Sequence, residues 1–253
     1  MLKEIVIAIQ SYFKAHRFIR QHRLWKWILI PGIIYTLLFI VSMYFFGKSA
    51  NSFIQWILNI THANIWLHQF NNQFLSFLFV FAGVILWLVL MLFYFSLFKY
   101  LWLIVGSPLF AYLSEKTEAI IEEREYPFCF PQLIKDIGRG ITIALRNALW
   151  QTVYIISILI LSLVPVIGWI TPLIALLVEC YYYGFSMLDY SCERRRMTAP
   201  ESIYYISNHK GLAIGNGMVF YLMHLLPVIG WVLAPAYAVI AATLSLIEIK
   251  ENS

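Results

Sequence analysis

The sequence predicts an all-α integral membrane protein: two long transmembrane helices, two helical hairpins tipped by proline and glycine, and an amphipathic N-terminal helix. Three observations carry that prediction. Of the 253 residues, 61% are hydrophobic and only 12% are charged, where a soluble domain carries about 25%. The apolar residues fall in continuous runs long enough to cross a bilayer. One uncharged phrase also occurs twice: Pro165-Val166-Ile167-Gly168-Trp169-Ile170-Thr171-Pro172 returns as Pro227-Val228-Ile229-Gly230-Trp231-Val232-Leu233-Ala234-Pro235.

Each copy sits midway along an apolar stretch. Proline removes a backbone donor and clashes with the preceding helical turn, while glycine admits turn geometries other residues avoid. In hydrocarbon such a break persists only where the freed backbone groups find partners. Each phrase therefore reads as the tip of a hairpin dipping into the membrane, with arms at 148–164 and 169–188, then at 213–226 and 231–247. Pro165, Gly168, Pro227 and Gly230 are the candidate gating positions, since transporters line their paths with broken, repeated helices.

The other elements follow in chain order. Residues 1–26 read as an interfacial helix: Lys3, Gln10, Lys14, Arg17 and Gln21 share a face, with Leu2, Ile5, Ile9, Phe13 and Ile19 roughly opposite. Such a basic helix suits an anionic leaflet. Trp27 to Phe46 covers a core of about 30 Å at about 1.5 Å per residue, with Pro31-Gly32 near its start. A second span, 74–103, leads to Gly106-Ser107-Pro108, expected to end or bend it. Residues 114–125 read as an acidic helix with a solvated face, 126–131 as a turn, and 132–146 as an amphipathic lead-in to the first hairpin. The whole chain, 1–253, reads as one membrane domain.

Charge sets the orientation. Nearly all of the 18 lysines and arginines lie in residues 1–26, 104–147, 189–211 and 248–253. The positive-inside rule puts those segments and both termini in the cytoplasm of a multi-pass protein. The net charge of +5 is then orientation charge, and no nucleic-acid partner is expected. Cys129, Cys180 and Cys192 have neither disulfide nor zinc spacing. His62 and His68 face different sides of a helix, so neither metal nor cofactor is expected. Nucleotide loops and nucleophile elbows are missing, and the chain reads as no enzyme; a lipid-modifying site built on Glu179 has only thin motif support.

Two places carry chemistry. Arg20, Arg23 and Lys26 recur every third residue beside Trp25, at the start of the first span. There the unpaired helical amides and the helix dipole favour an anion. The ligand is either a small oxyanion or a lipid phosphate, and the same residues suit simple snorkelling to headgroups. Glu179, the one carboxylate deep in an arm, suits proton coupling or a neutral, hydrogen-bonded link between helices; Tyr181, Tyr182 and Tyr183 are its nearest candidate partners. Asp189, Glu193 and Arg194-Arg195-Arg196 read as inter-hairpin salt bridges, with an inner vestibule as the alternative. Gly211, Gly215 and Gly217 read as close-packing positions.

In motif order the chain resembles the CysZ family of bacterial sulfate permeases, related to eukaryotic etoposide-induced endoplasmic-reticulum proteins. The shared features are the basic stretch from Lys26 to Pro31, Ser107-Pro108 with Glu115 and Glu118, Asp136 with Arg139, both tips, Asp189-Tyr190 and Pro235. The resemblance implies two spanning helices, two partly penetrating hairpins, assembly as a homo-oligomer, and sulfate uptake for cysteine synthesis. The family places sulfate at a glycine and two arginines, which fall on Arg23, Trp25 and Lys26. One basic residue of that pair is kept, as lysine, which offers a point charge in place of a planar fork. A rival reading is a non-transporting membrane scaffold or envelope-homeostasis protein that binds lipid headgroups.

Overall fold

The computed structural model describes residues 1–60, 73–123, 130–162, 170–226 and 228–251. Among the described residues there are eight helices and no strand: α1 (Leu2–Gln21), α2 (Trp25–Ile60), α3 (Gln73–Glu122), α4 (Phe130–Ser162), α5 (Thr171–Arg194), α6 (Ala199–Asn208), α7 (Lys210–His224) and α8 (Ile229–Glu251). Among the described residues, four stretches are long and apolar enough to cross a membrane: Trp25–Ser52, Gly138–Ile158, Thr171–Arg194 and Ile229–Lys250. The chain divides into two units, residues 37–101 and residues 1–36 with 102–253. In the former, Phe39 and Phe98 meet edge to face at 5.5 Å. All that follows concerns the latter.

α7 packs on α1, α5 and α8, and small residues make this possible. A Cβ at Gly184 would overlap the Ala213 carbonyl, and one at Gly217 the Cys180 carbonyl. Cys180 and Gly184 lie one turn apart on α5, as Ala213 and Gly217 do on α7. The two backbones therefore touch over two turns, the small-xxx-small contact that replaces hydrophobic driving force inside lipid. Gly211 and Gly215 admit α1 in the same way, against Glu4, Ile5 and Ala8. The close-packing role expected of these three glycines is what the structure shows.

α1 differs from its expected pattern. Ala8, Ser11, Tyr12, Ala15 and Ile19 form its buried face, while Leu2 and Phe13 are exposed at 78% and 69%. The apolar residues thus divide between a bundle side and an outward side that also carries Lys3, Arg17 and Arg20. Tyr12 fixes the bundle side by donating to the Asn216 carbonyl at 2.8 Å. Glu4 accepts from the Gly211 amide at 3.1 Å and contacts His209 Nδ1 at 2.9 Å, closing the otherwise open N-terminus of α7.

α3 runs through Gly106-Ser107-Pro108, where a break was expected. Pro108 leaves the Ile104 carbonyl without its helical donor, and the Ser107 hydroxyl takes that place at 2.9 Å. The acidic stretch after it is not a solvated face throughout: Ser114, Thr117 and Glu118 are buried. Ser114, Ser191 and Thr243 hydrogen-bond one another at 2.8–3.1 Å, tying α3 to α5 and α8. α6 starts at a capping box in which Glu201 accepts from the Thr198 amide at 2.7 Å.

α7 and α8 form an antiparallel pair: Asn216 Nδ2 donates to the Ala238 carbonyl, and Trp231 Nε1 to the His224 carbonyl. The chain turns over Leu225–Val228. Its left-handed residue is Val228, φ 63°, where the tip motif pointed to glycine. Gly230 serves another need: a Cβ there would strike the Met223 carbonyl across the turn. Pro165, Gly168 and Trp169 of the first tip, Pro227 of the second, the 61–72 segment with His62 and His68, and the 126–129 part of the predicted turn lie outside the described residues.

Candidate functional site

The basic cluster stands on the turn between α1 and α2. His22 N–H donates to the Phe18 carbonyl at 3.0 Å, and Leu24 N–H to the Ile19 carbonyl at 3.1 Å. That pattern closes a helix around a left-handed residue, here Arg23 at φ 52°. It is the position where the resembling family has glycine, and the backbone supplies the reason. Arg20, Arg23 and Lys26 are all exposed. None has a hydrogen bond or ion pair to another described residue. Arg20 stands in the last turn of α1, Arg23 in the connection and Lys26 in the first turn of α2, and the Trp27 amide turns back to the Leu24 carbonyl at 3.0 Å.

Aromatic contacts hold this turn in place, and sequence gave no sign of them. Trp25, 37% exposed, meets the His16 ring edge-on at 6.5 Å. His16 Nδ1 is 2.8 Å from the Tyr237 hydroxyl on α8. Trp27 packs on Tyr112 at 4.7 Å, and Lys116 Nζ lies 5.1 Å over the Trp27 ring. The cluster is therefore braced against both α3 and α8. Spacing along the chain carries no information about such long-range pairs.

The second group of charges is a buried network. Arg139 grips Asp189 with two nitrogens at 2.8 and 3.3 Å and reaches Glu193 at 3.4 Å. Ser202 donates to Asp189 at 2.5 Å. Arg194 joins Glu193 at 2.6 Å to Glu115 at 3.0 Å, and Arg195 meets Glu118 at 3.4 Å. Burial pushes the Glu118 carboxyl above its usual range, against the opposing pull of Arg195. Salt bridges form here, but those seen join α5 to α3 and α4, not one hairpin to the other as was expected; Ser202 adds α6 by a hydrogen bond. Three guanidinium groups face four carboxylates here, so the network offers no surplus positive charge to an anion. Arg196, exposed and left-handed at φ 57°, stands outside it.

Glu179 sits in a polar clasp. Gln151 on α4 donates to its Oε1, and Tyr221 on α7 to its Oε2 at 2.8 Å. The neighbouring tyrosines were the expected donors, yet Tyr183 makes no hydrogen bond and stacks on Phe220 at 3.6 Å. On a helix, consecutive side chains point about 100° apart, so three adjacent tyrosines cannot all reach one carboxylate. Glu179 ties α4, α5 and α7 together. Among the described residues no group of three or more His, Cys, Asp or Glu could hold a metal.

The family model described as "Sulfate transporter CysZ/Etoposide-induced protein 2.4" matches residues 11–235. A Pseudomonas aeruginosa protein named sulfate transporter CysZ is 26% identical over 220 residues, covering 86% of this chain and 85% of that protein. A protein of the same name from Pseudomonas fluorescens is 28% identical over 143 residues, which is 56% of this chain and 57% of that relative's length. The matched region takes in the basic turn, the buried charge network and both tips.

Proposed function

The chain belongs to the sulfate transporter CysZ/etoposide-induced protein 2.4 family, and from that premise we propose that it is a permease for a small oxyanion, sulfate first. The observation that carries this reading is the α1–α2 turn, where three exposed, unpartnered cations gather at the start of an apolar helix inside the region shared with relatives named as sulfate transporters. Arg20, Arg23 and Lys26 attract the anion, and Trp25 and the first amides of α2 help seat it. The tips, with Pro165, Gly168, Pro227 and Gly230, form the gate. The Glu179 clasp holds the arms in register and is suited to proton coupling. The protein works as a homo-oligomer in the bacterial inner membrane, with both termini cytoplasmic, and feeds sulfate to cysteine synthesis. It carries out no catalysis.

The test is uptake of labelled sulfate by vesicles containing the purified protein. Uptake should depend on protein and fall about tenfold or more in Arg23→Ala/Lys26→Ala, the effect of about 1.4 kcal/mol or more in anion affinity. Full uptake in that double variant removes the two residues from the mechanism. Binding to anionic lipid without flux of any oxyanion would instead identify a non-transporting scaffold.

A further inference from the structure

Three buried polar atoms lack any hydrogen-bond partner along one aromatic seam: Trp102 Nε1, Tyr183 Oη and His224 Nδ1. Trp102 and Tyr183 are only 3% and 2% exposed. The three come from α3, α5 and α7, and ring contacts join them. Tyr35 meets Trp102 edge-on at 4.9 Å, and its hydroxyl lies 3.1 Å from His224 Nε2. His224 packs on Phe220 at 4.8 Å, and Phe220 stacks on Tyr183 at 3.6 Å.

A buried donor left unpaired keeps its full desolvation cost, so three in one seam weigh heavily on a marginally stable fold. Such a concentration belongs where a ligand supplies the missing partner. The chemistry of the three atoms selects that ligand. Indole N–H is a donor only, and the phenol donates readily. In the tautomer in which Tyr35 donates to Nε2, the imidazole proton sits on Nδ1 and makes it the third donor. Uncharged donors fit an oxyanion and reject a cation. They also hold the anion weakly enough to release it, which conduction requires.

We propose that Trp102, Tyr183 and His224 form an inner station at which a partly dehydrated oxyanion takes hydrogen bonds from neutral donors. The station rests on the transport reading above and is separate from the basic turn. Vesicles containing the full-length wild type, Trp102→Phe or Tyr183→Phe test it through labelled sulfate uptake, with Tm measured in parallel. Tyr183→Phe keeps its ring and loses only the hydroxyl, while Trp102→Phe loses Nε1 together with part of the indole, so uptake should fall about tenfold in each, one lost hydrogen bond to a charged partner, with Tm changing little in Tyr183→Phe and falling in Trp102→Phe. Unchanged uptake overturns the station, whether Tm rises (bare donors relieved) or falls (a bound water lost). If a phenylalanine variant does not fold, His224→Leu carries the same expectation. A wild type that moves no oxyanion overturns the transport reading and the station with it; an active wild type with insensitive variants overturns the station alone.

Discussion

Arg23 and Val228 occupy backbone conformations that their side chains oppose, φ 52° and 63°. A left-handed residue with a Cβ costs roughly 1–2 kcal/mol, and glycine returns part of that relief as unfolded-state entropy. Arg23→Gly should therefore raise stability by about 0.5–1 kcal/mol, a Tm gain of about 2 °C, while sulfate uptake falls. A variant that is both more stable and less active separates a functional arginine from a structural one; equal uptake would mark Arg23 as strain without purpose. Val228→Gly, at the second tip, should be stabilised by as much without losing uptake. Glu118 gives a pH-dependent case. Its folded pKa lies above the unfolded value, so its contribution to stability is full below the unfolded pKa and is lost as pH rises through the folded one. Melting curves should show Glu118→Gln gaining on the wild type as pH is raised from about 4 to about 7; a constant gap would mean that Arg195 already offsets the burial.

At the scale of elements, the α5–α7 crossing and the proline in α3 make opposite demands. The crossing needs the absence of a side chain, since Cβ atoms at Gly184 and Gly217 would meet backbone carbonyls that cannot move aside. Gly184→Val should cost about 3 kcal/mol or more, at the upper end of overpacking penalties, and should lower detergent-solubilised Tm clearly. Pro108 needs an added group: Ser107→Ala should cost about 1 kcal/mol by stranding the Ile104 carbonyl, yet almost nothing in a Pro108→Ala background, where the backbone N–H of residue 108 returns as the helical donor. Much of this architecture is legible in the sequence, because apolar length and broken repeats fix which segments are helices and where the second hairpin turns. The continuation of α3 through Pro108 is not, since the rescuing hydroxyl comes from a neighbour that composition does not flag. Nor are the braces at Trp25, Trp27 and Glu4, whose partners are His16 (itself held by Tyr237), Lys116 and His209. Local pattern located the basic turn; tertiary pairing alone explains why it is held in place.

For the whole molecule the open quantity is how deep the second hairpin goes, and length decides it. α7 has 15 residues, about 22 Å of helix against a core of about 30 Å. Its tip is apolar and outward-facing: Leu222, Leu225, Leu226, Val228 and Ile229 are 58–75% exposed. A tip in water would carry polar turn residues, whereas a lipid-buried one gains about 25 cal/mol for each Å² of apolar surface removed from water. The hairpin should therefore enter from the cytoplasmic side and stop within the bilayer. Leu226→Cys and Arg20→Cys, each in a Cys129→Ser background and tested in oriented vesicles, check this directly, since native Cys180 and Cys192 are buried and stay silent. The cysteine at 20 should react with a membrane-impermeant maleimide from the cytoplasmic side only. The one at 226 should resist it from both sides and react with a lipid-soluble reagent. Labelling of 226 from the far side would make the hairpin a true crossing, and the gate would then sit at the outer surface with the basic turn and the tip on opposite faces of the membrane.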